Sequence, residues 1–308
     1  MQTNEIYKFL RLANMIEISV VIPTYNRSDL LSHTLTALQA QTLNKSIFEV
    51  IVIDDGGSDN SEEVVNLFKP ELNVKYFWQE DNGFRAGKAR NIGTAIAEGK
   101  YVVYVDTGVL LSTTALEEHL QVHRNALHPV AIIGYVYGFD LDAEGIEKMN
   151  TVIDANDVDS ILYQLHQQNA FDIRQQQYDD LGENITNWPA PFDLFWTCHV
   201  SAERSELLKV GLFDENFQTW GGEDVDLGVR LFLNNNMFVM NKSICSFHWP
   251  HPKEVADHED SSNSAAETIH NKYNIWQTSF YNIVHEGKSL PLNKIIQIHK
   301  NKQNVSYA

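Results

Sequence analysis

Phe48-Glu49-Val50-Ile51-Val52-Ile53, followed by Asp54-Asp55-Gly56-Gly57-Ser58-Asp59, sets the fold class. The first half is apolar at almost every position and rich in β-branched residues, the pattern of a strand covered on both faces of a parallel sheet. The second half stops that strand with acids and glycines, and Val64, Val65 and Phe68 then continue at helical spacing. Upstream, Glu17-Ile18-Ser19-Val20-Val21-Ile22-Pro23 repeats the buried-strand pattern and runs into Thr24-Tyr25-Asn26-Arg27, with Leu30, Leu31, Leu35 and Leu38 marking a helix from about Ser28. Downstream, strands over 74–78 and 101–105 flank a helix over about 86–97, and the fourth strand ends in Asp106. Such alternation predicts an α/β fold with a mostly parallel central sheet flanked by helices.

In open α/β sheets ligands bind beyond the carboxyl ends of the strands. Asp54, Asp55 and Asp106 occupy those ends here, and a carboxylate closing an apolar strand must stay near water or find a partner. Turn formation is the alternative for Asp54-Asp55-Gly56-Gly57. The loop Asp81-Asn82-Gly83-Phe84-Arg85-Ala86-Gly87-Lys88-Ala89-Arg90-Asn91 enters a helix with three cations able to face an anion. Arg90 is the best candidate among them; Arg85 and Lys88 also read as a solvated helix face.

The 308 residues are 43% hydrophobic, enough for a substantial core. A formal net charge of -18 argues against nucleic acid as a partner, because phosphate backbones call for clustered Lys and Arg. Two cysteines, Cys198 and Cys245, are too few for a disulfide framework, and no targeting or membrane-spanning stretch is visible. A cytoplasmic protein is the expectation.

In the second half, a strand is expected over 130–137, a polar insertion over 138–191, a strand from Phe195 to Ser201 and a helix over 204–210. Trp196 reads as core or as a sugar platform. Trp220-Gly221-Gly222-Glu223-Asp224-Val225-Asp226 is a glycine turn running into three acids in the first turn of a helix, where carboxylates suit the helix dipole. An acidic helix start with ordinary capping is the plainer reading. The tail from His251 carries Tyr273, Trp276, Phe280 and Tyr281, then Leu290 to Ile298 with Lys294, Lys300 and Lys302; folding over the site, partner binding and peripheral membrane contact are all open.

Together, Ile22-Pro23-Thr24-Tyr25-Asn26-Arg27, Val52 to Asp59, Ala89-Arg90-Asn91-Ile92-Gly93 and Val105-Asp106 resemble the successive signatures of a family 2 glycosyltransferase with the GT-A fold. Trp220 to Asp226 resembles the WGGED motif of β1,4-galactosyltransferases, N-acetylgalactosaminyltransferases and chondroitin-polymerase-like enzymes. The resemblance implies that Tyr25 stacks near a uracil, that Asp55 accepts from the base and that Pro23 and Asn26 shape its pocket. Arg27 reads as a ligand or a solvated helix start, Asn82 and Arg90 as groups near the diphosphate, and Asp106 as a contact to the nucleotide sugar. An aromatic face and a carboxylate meeting an imide N–H are what a pyrimidine requires.

The resemblance further implies a UDP-sugar donor and an inverting transfer of a hexose or N-acetylhexosamine. Asp224 is then the general base, Glu223 its neighbour in catalysis, and Trp220, Gly221, Gly222, Asp226 and Trp196 the acceptor side. The family's Asp-x-Asp reads Asp106-Thr107-Gly108 here, so a Mn2+ or Mg2+ cofactor rests on Asp106 and on His248, which falls where galactosyltransferase-like enzymes place a metal-binding histidine. His251 is a rival, and a loop histidine the plainer reading. The acceptor is a glycan, a small molecule or a peptide. The expected organisation is a GT-A domain over 1–250, with a nucleotide-sugar half at about 15–110 and an acceptor half over 111–250, then a helical extension over 251–308. A non-catalytic sugar-nucleotide or glycan-binding protein and a sugar-phosphate nucleotidyltransferase are the alternatives.

Overall fold

The computed structural model describes residues 15–148, 152–219, 221–251, 258–281, 283–285 and 288–305. The first half alternates as expected: β1 (Ile18–Thr24), α1 (Ser28–Gln39), β2 (Phe48–Asp54), α2 (Ser61–Phe68), β3 (Val74–Trp78), α3 (Ala86–Ile96) and β4 (Tyr101–Val105). Then come β5 (Val109–Leu111), α4 (Ala115–Asn125), β6 (Val130–Tyr137), α5 (Ala143–Lys148), α6 (Val158–Gln167) and α7 (Gln175–Leu181). A 3-10 turn (Pro191–Leu194) leads to β7 (His199–Glu203), α8 (Arg204–Lys209), α9 (Glu223–Leu233) and β8 (Met237–His248). Past residue 251 the described elements are α10 (His258–Tyr273), a 3-10 turn (Thr278–Phe280), the two-residue strands β9 (Val284–His285) and β10 (Lys288–Ser289), and α11 (Leu292–Val305).

Eight strands form one sheet in the order β3-β2-β1-β4-β7-β6-β8-β5. Parallel pairing holds for β1 with β2 and β4, β2 with β3, and β6 with β8. Antiparallel pairing joins β7 to β4 and β6, and β5 to β8, so the sheet is mixed. Alternate residues of each central strand enter opposite cores. Val21, Ile51, Ile53, Val102 and Tyr104 join one cluster. Val20, Ile22, Val50, Val52, Val103 and Val105 join the other. Burial on both faces is why these strands read as unbroken apolar runs.

Two close approaches position the site. A Cβ on Gly93 would stand 2.4 Å from Val21 Cγ1, so glycine lets α3 settle onto β1. A Cβ on Gly228 would stand 2.8 Å from the Phe192 carbonyl oxygen, so glycine lets α9 settle onto the 3-10 turn. The 138–191 stretch is held from inside by Arg174, fully buried, whose guanidinium donates to Asp172 and to the Gly134 and Leu194 carbonyls.

Between α4, β7 and β8 runs a buried polar line. His199 Nδ1 meets Ser246 Oγ at 3.0 Å and His199 Nε2 meets His119 Nε2 at 3.0 Å. His119 Nδ1 meets Ser201 Oγ at 2.9 Å, which meets His123 Nε2 at 2.8 Å. Burial lowers all three imidazole pKa values, those of His123 and His199 to about 3, so the line is uncharged.

Candidate active site

Helix α3 is the axis of the site. At its start, the Arg85 backbone N–H donates to Asp55 Oδ2 at 2.8 Å, and the Arg85 guanidinium lies 3.1 Å from Asp55 Oδ1. Gln79 Nε2 also donates to Asp55. Asp55 is thus fixed at the end of β2 with lone pairs left over for a further donor. Five residues on, and about 7.5 Å further along the helix axis, Arg90 is buried. Its guanidinium donates to Asp106 Oδ1 at 2.8 Å and to Glu223 Oε1 at 3.1 Å. Burial by itself would lower the Arg90 pKa, but the charges of Asp106 and Glu223 outweigh it and hold the group above its ordinary value. One helix therefore links the strand end bearing Asp55 to the acidic turn, whose Glu223 lies 133 residues beyond Arg90 in sequence.

Gly221 and Gly222 take φ of +88° and +97°, the left-handed turn that only glycine enters cheaply. They deliver α9 with Glu223 buried against Arg90 and Asp224 beside it. The second Glu223 oxygen is buried and accepts no hydrogen bond among the described residues. Asp224 accepts from the Val225 N–H at 2.7 Å, and burial, then the Glu223 charge, push its pKa up to about 7. A carboxylate poised there can take a proton near neutral pH.

Asp226 falls elsewhere. It is fully buried, one oxygen held by Arg230 at 2.6 Å and the other by Lys272 and Tyr273 at 2.7 Å each. That geometry makes it the tie between α9 and α10 and leaves no room for an acceptor. Trp196 spends its indole N–H on the Asp193 carbonyl at 2.9 Å and lays its ring over the Arg174 guanidinium, a packing position. Trp220 lies outside the described residues.

Just past the end of β1, Tyr25 is exposed and its hydroxyl donates to Asp81 Oδ2 at 3.0 Å. Asn26, at φ +49°, accepts from the Ser58 N–H at 2.7 Å, and Pro23 accepts from Thr107 Oγ1 through its carbonyl at 2.9 Å. Asn82 is exposed in the loop before α3. Arg27 is exposed, its guanidinium 3.1 Å from His251 Nε2. Asp54, by contrast, is taken up by the Gly57 N–H and the Tyr76 hydroxyl, a turn-holding role.

For a divalent cation the residues fit in part. Asp106 commits one oxygen to Arg90 and its side chain is 38% exposed. His248 closes β8 opposite Val109, three residues past Asp106. Gly108 sits at φ +93°, donating to Thr34 and accepting from Trp249, so the backbone there requires a glycine where a second acid would stand. No cluster of three or more His, Cys, Asp or Glu suited to a metal occurs among the described residues. Two protein ligands suffice only for a cation that takes further oxygens from phosphate.

One contact lay outside the sequence reading, which gave Asp193 no role and named Tyr281 only among the tail's aromatics. The Tyr281 hydroxyl donates to Asp193 Oδ1 at 3.0 Å, and burial pushes the Asp193 pKa up to about 6. No spacing signals a contact across 88 residues.

Residues 19–192 match the model of glycosyl transferase family 2, and residues 181–247 match that of the N-terminal domain of galactosyltransferase. The chain is 32% identical over 237 residues to validoxylamine A glucosyltransferase of Streptomyces hygroscopicus subsp. jinggangensis, covering 77% of this chain and 56% of that protein. It is 32% identical over 250 residues to the chondroitin synthase of Escherichia coli, covering 76% of this chain and 35% of that protein. The chain spans about half the length of the validoxylamine relatives it matches. In fold it is similar to S. aureus TarS 1-349 in complex with UDP-GlcNAc, with TM-score 0.60 at 18% identity, covering 88% of this chain and 68% of that one. The alternating half-sheet, the acidic turn set against it and the matched residues lead to one conclusion: the chain belongs to glycosyl transferase family 2.

Proposed function

We propose that the protein is an inverting glycosyltransferase that moves a hexose or N-acetylhexosamine from a UDP-sugar to an acceptor hydroxyl. The observation that carries this reading is Arg90, which holds Asp106 of the donor side and Glu223 of the acidic turn in one grip. Tyr25 and Asp55 frame the base, and Pro23 and Asn26 shape the loop beneath it. The uncapped start of α3, with Arg85 and Asn82 beside it, faces the diphosphate. Asp224 accepts the proton of the incoming hydroxyl as that oxygen attacks the anomeric carbon from the face opposite the departing UDP. Arg90 stabilises negative charge gathering at the leaving phosphate. Asp106 and His248, with diphosphate oxygens, would hold a Mn2+ or Mg2+ ion, whose chemistry there is to neutralise that same charge. A relative's name specifies a glucosyl transfer and a fold neighbour binds UDP-GlcNAc, which supports UDP-glucose and UDP-GlcNAc as first donors to try.

The test is Asp224→Asn. Release of UDP from UDP-glucose or UDP-GlcNAc should fall at least ~100-fold, within the range expected for loss of a general base, with the circular dichroism spectrum unchanged. Retention of most of the activity removes Asp224 from the role.

A further inference from the structure

We propose that Asp193 and Tyr281 form an acceptor subsite beside Asp224 that grips neighbouring hydroxyls of a polyhydroxylated ring, a sugar or a cyclitol. The inference deepens the transfer reading and rests on it. Asp224 and Gly228 are four residues apart and so share one stripe of α9. Gly228 is where the 3-10 turn touches that helix, through Phe192, and Asp193 is the next residue. From the other side the Tyr281 hydroxyl reaches Asp193 Oδ1 at 3.0 Å, within the field of the Asp224 carboxylate.

The turn that carries Asp193 is fastened on three sides. Asn293 of α11 exchanges two 2.9 Å hydrogen bonds with the Ala190 backbone. The Trp196 indole donates to the Asp193 carbonyl, and the turn's own Phe192 and Leu194 are fully buried. A carboxylate held this firmly does not need to move to bind. Its second oxygen accepts no hydrogen bond among the described residues, and a carboxylate has two oxygens able to receive two adjacent hydroxyls. The Tyr281 oxygen, already donating, can still accept from the same ring. Polar groups placed to hydrogen-bond substrate hydroxyls discriminate strongly against analogues that lack them.

The experiment uses the full chain, UDP-glucose and UDP-GlcNAc as donors, and methyl glucosides, their monodeoxy forms and myo-inositol as acceptors. Asp193→Asn and Tyr281→Phe should raise the acceptor KM at least tenfold more than the donor KM, with a smaller change in kcat. The unmodified chain should prefer the fully hydroxylated glucoside to at least one deoxy form, and Asp193→Asn should erase that preference. Parallel losses in donor KM, acceptor KM and kcat would mean that Asp193 only fastens the tail, and would overturn the proposal. So would an unmodified chain that hydrolyses a donor yet transfers to no polyol. If the unmodified chain releases no UDP from either donor, the transfer reading itself fails and takes this one with it.

Discussion

Glu223, Asp224 and Asp226 are nearly consecutive, yet a helix turns about 100° per residue and sends them to three different neighbours. Glu223 meets Arg90, Asp226 meets Lys272 and Tyr273, and Asp224 accepts from the Val225 N–H beside it. Two consequences follow from the raised pKa of Asp224. As the proposed base it must be ionised, so kcat/KM should climb with pH and level off above about 7; a profile flat from pH 5 to 9 would contradict the role. Its stability effect has the opposite sign. Above pH 7 the group is charged at a place that favours the neutral form, so it costs stability there, and below its unfolded pKa the cost vanishes. Asp224→Asn should therefore raise the melting temperature by about 2–4 °C at pH 8, and the gain should shrink toward pH 4, as followed by calorimetry.

Among the elements, the buried histidines of α4 and β7 set the acid response. Their folded pKa values are depressed, so the unfolded chain binds more protons between about pH 6.5 and 3. Stability is full above 6.5 and falls as pH drops, by up to ~1.4 kcal/mol per pH unit for each histidine. Asp193 and Asp224 push the other way below their raised pKa values, reducing the slope without reversing it. Urea midpoints at pH 7, 5.5 and 4 should descend; equal midpoints would show that the imidazoles are not neutral in the fold. How far elements were legible from sequence follows the same burial logic. β1, β2, β4 and β6 declared themselves because both faces are covered. β8 did not: only its last half is steadily buried, and Asn241-Lys242-Ser243 interrupts it. The strand expected from Phe195 begins at His199, because Phe195 and Trp196 belong to the turn beside Asp193. Motif and strand-end position drew attention to Asp55, Arg90 and Asp224, whereas the groups that hold Asp226, Lys272 and Tyr273, lie 46 and 47 residues away, where no local pattern announces them.

At the scale of the whole molecule, the segment beyond residue 251 is part of the main body. Ile269, Leu292 and Ile296 enter the same core as the sheet, and Lys272 bridges Asp214 and Asp226. Among the described residues no helix is long and apolar enough to cross a membrane. Asp226→Asn leaves Arg230 and Lys272 facing a neutral amide and should cost about 3 kcal/mol. Urea unfolding would register the loss, and limited proteolysis should cut first near α10; an unchanged midpoint would deny the tie its importance. Arg90 has the widest reach of all, since a single positive charge is shared between two carboxylates from opposite halves. A cation that engages Asp106 weakens that end of the sharing and leaves more of the guanidinium to Glu223. Thermodynamic reciprocity then requires whatever Glu223 contacts to alter the occupancy of Asp106 by the same factor, so an event at one carboxylate retunes the other through a single guanidinium.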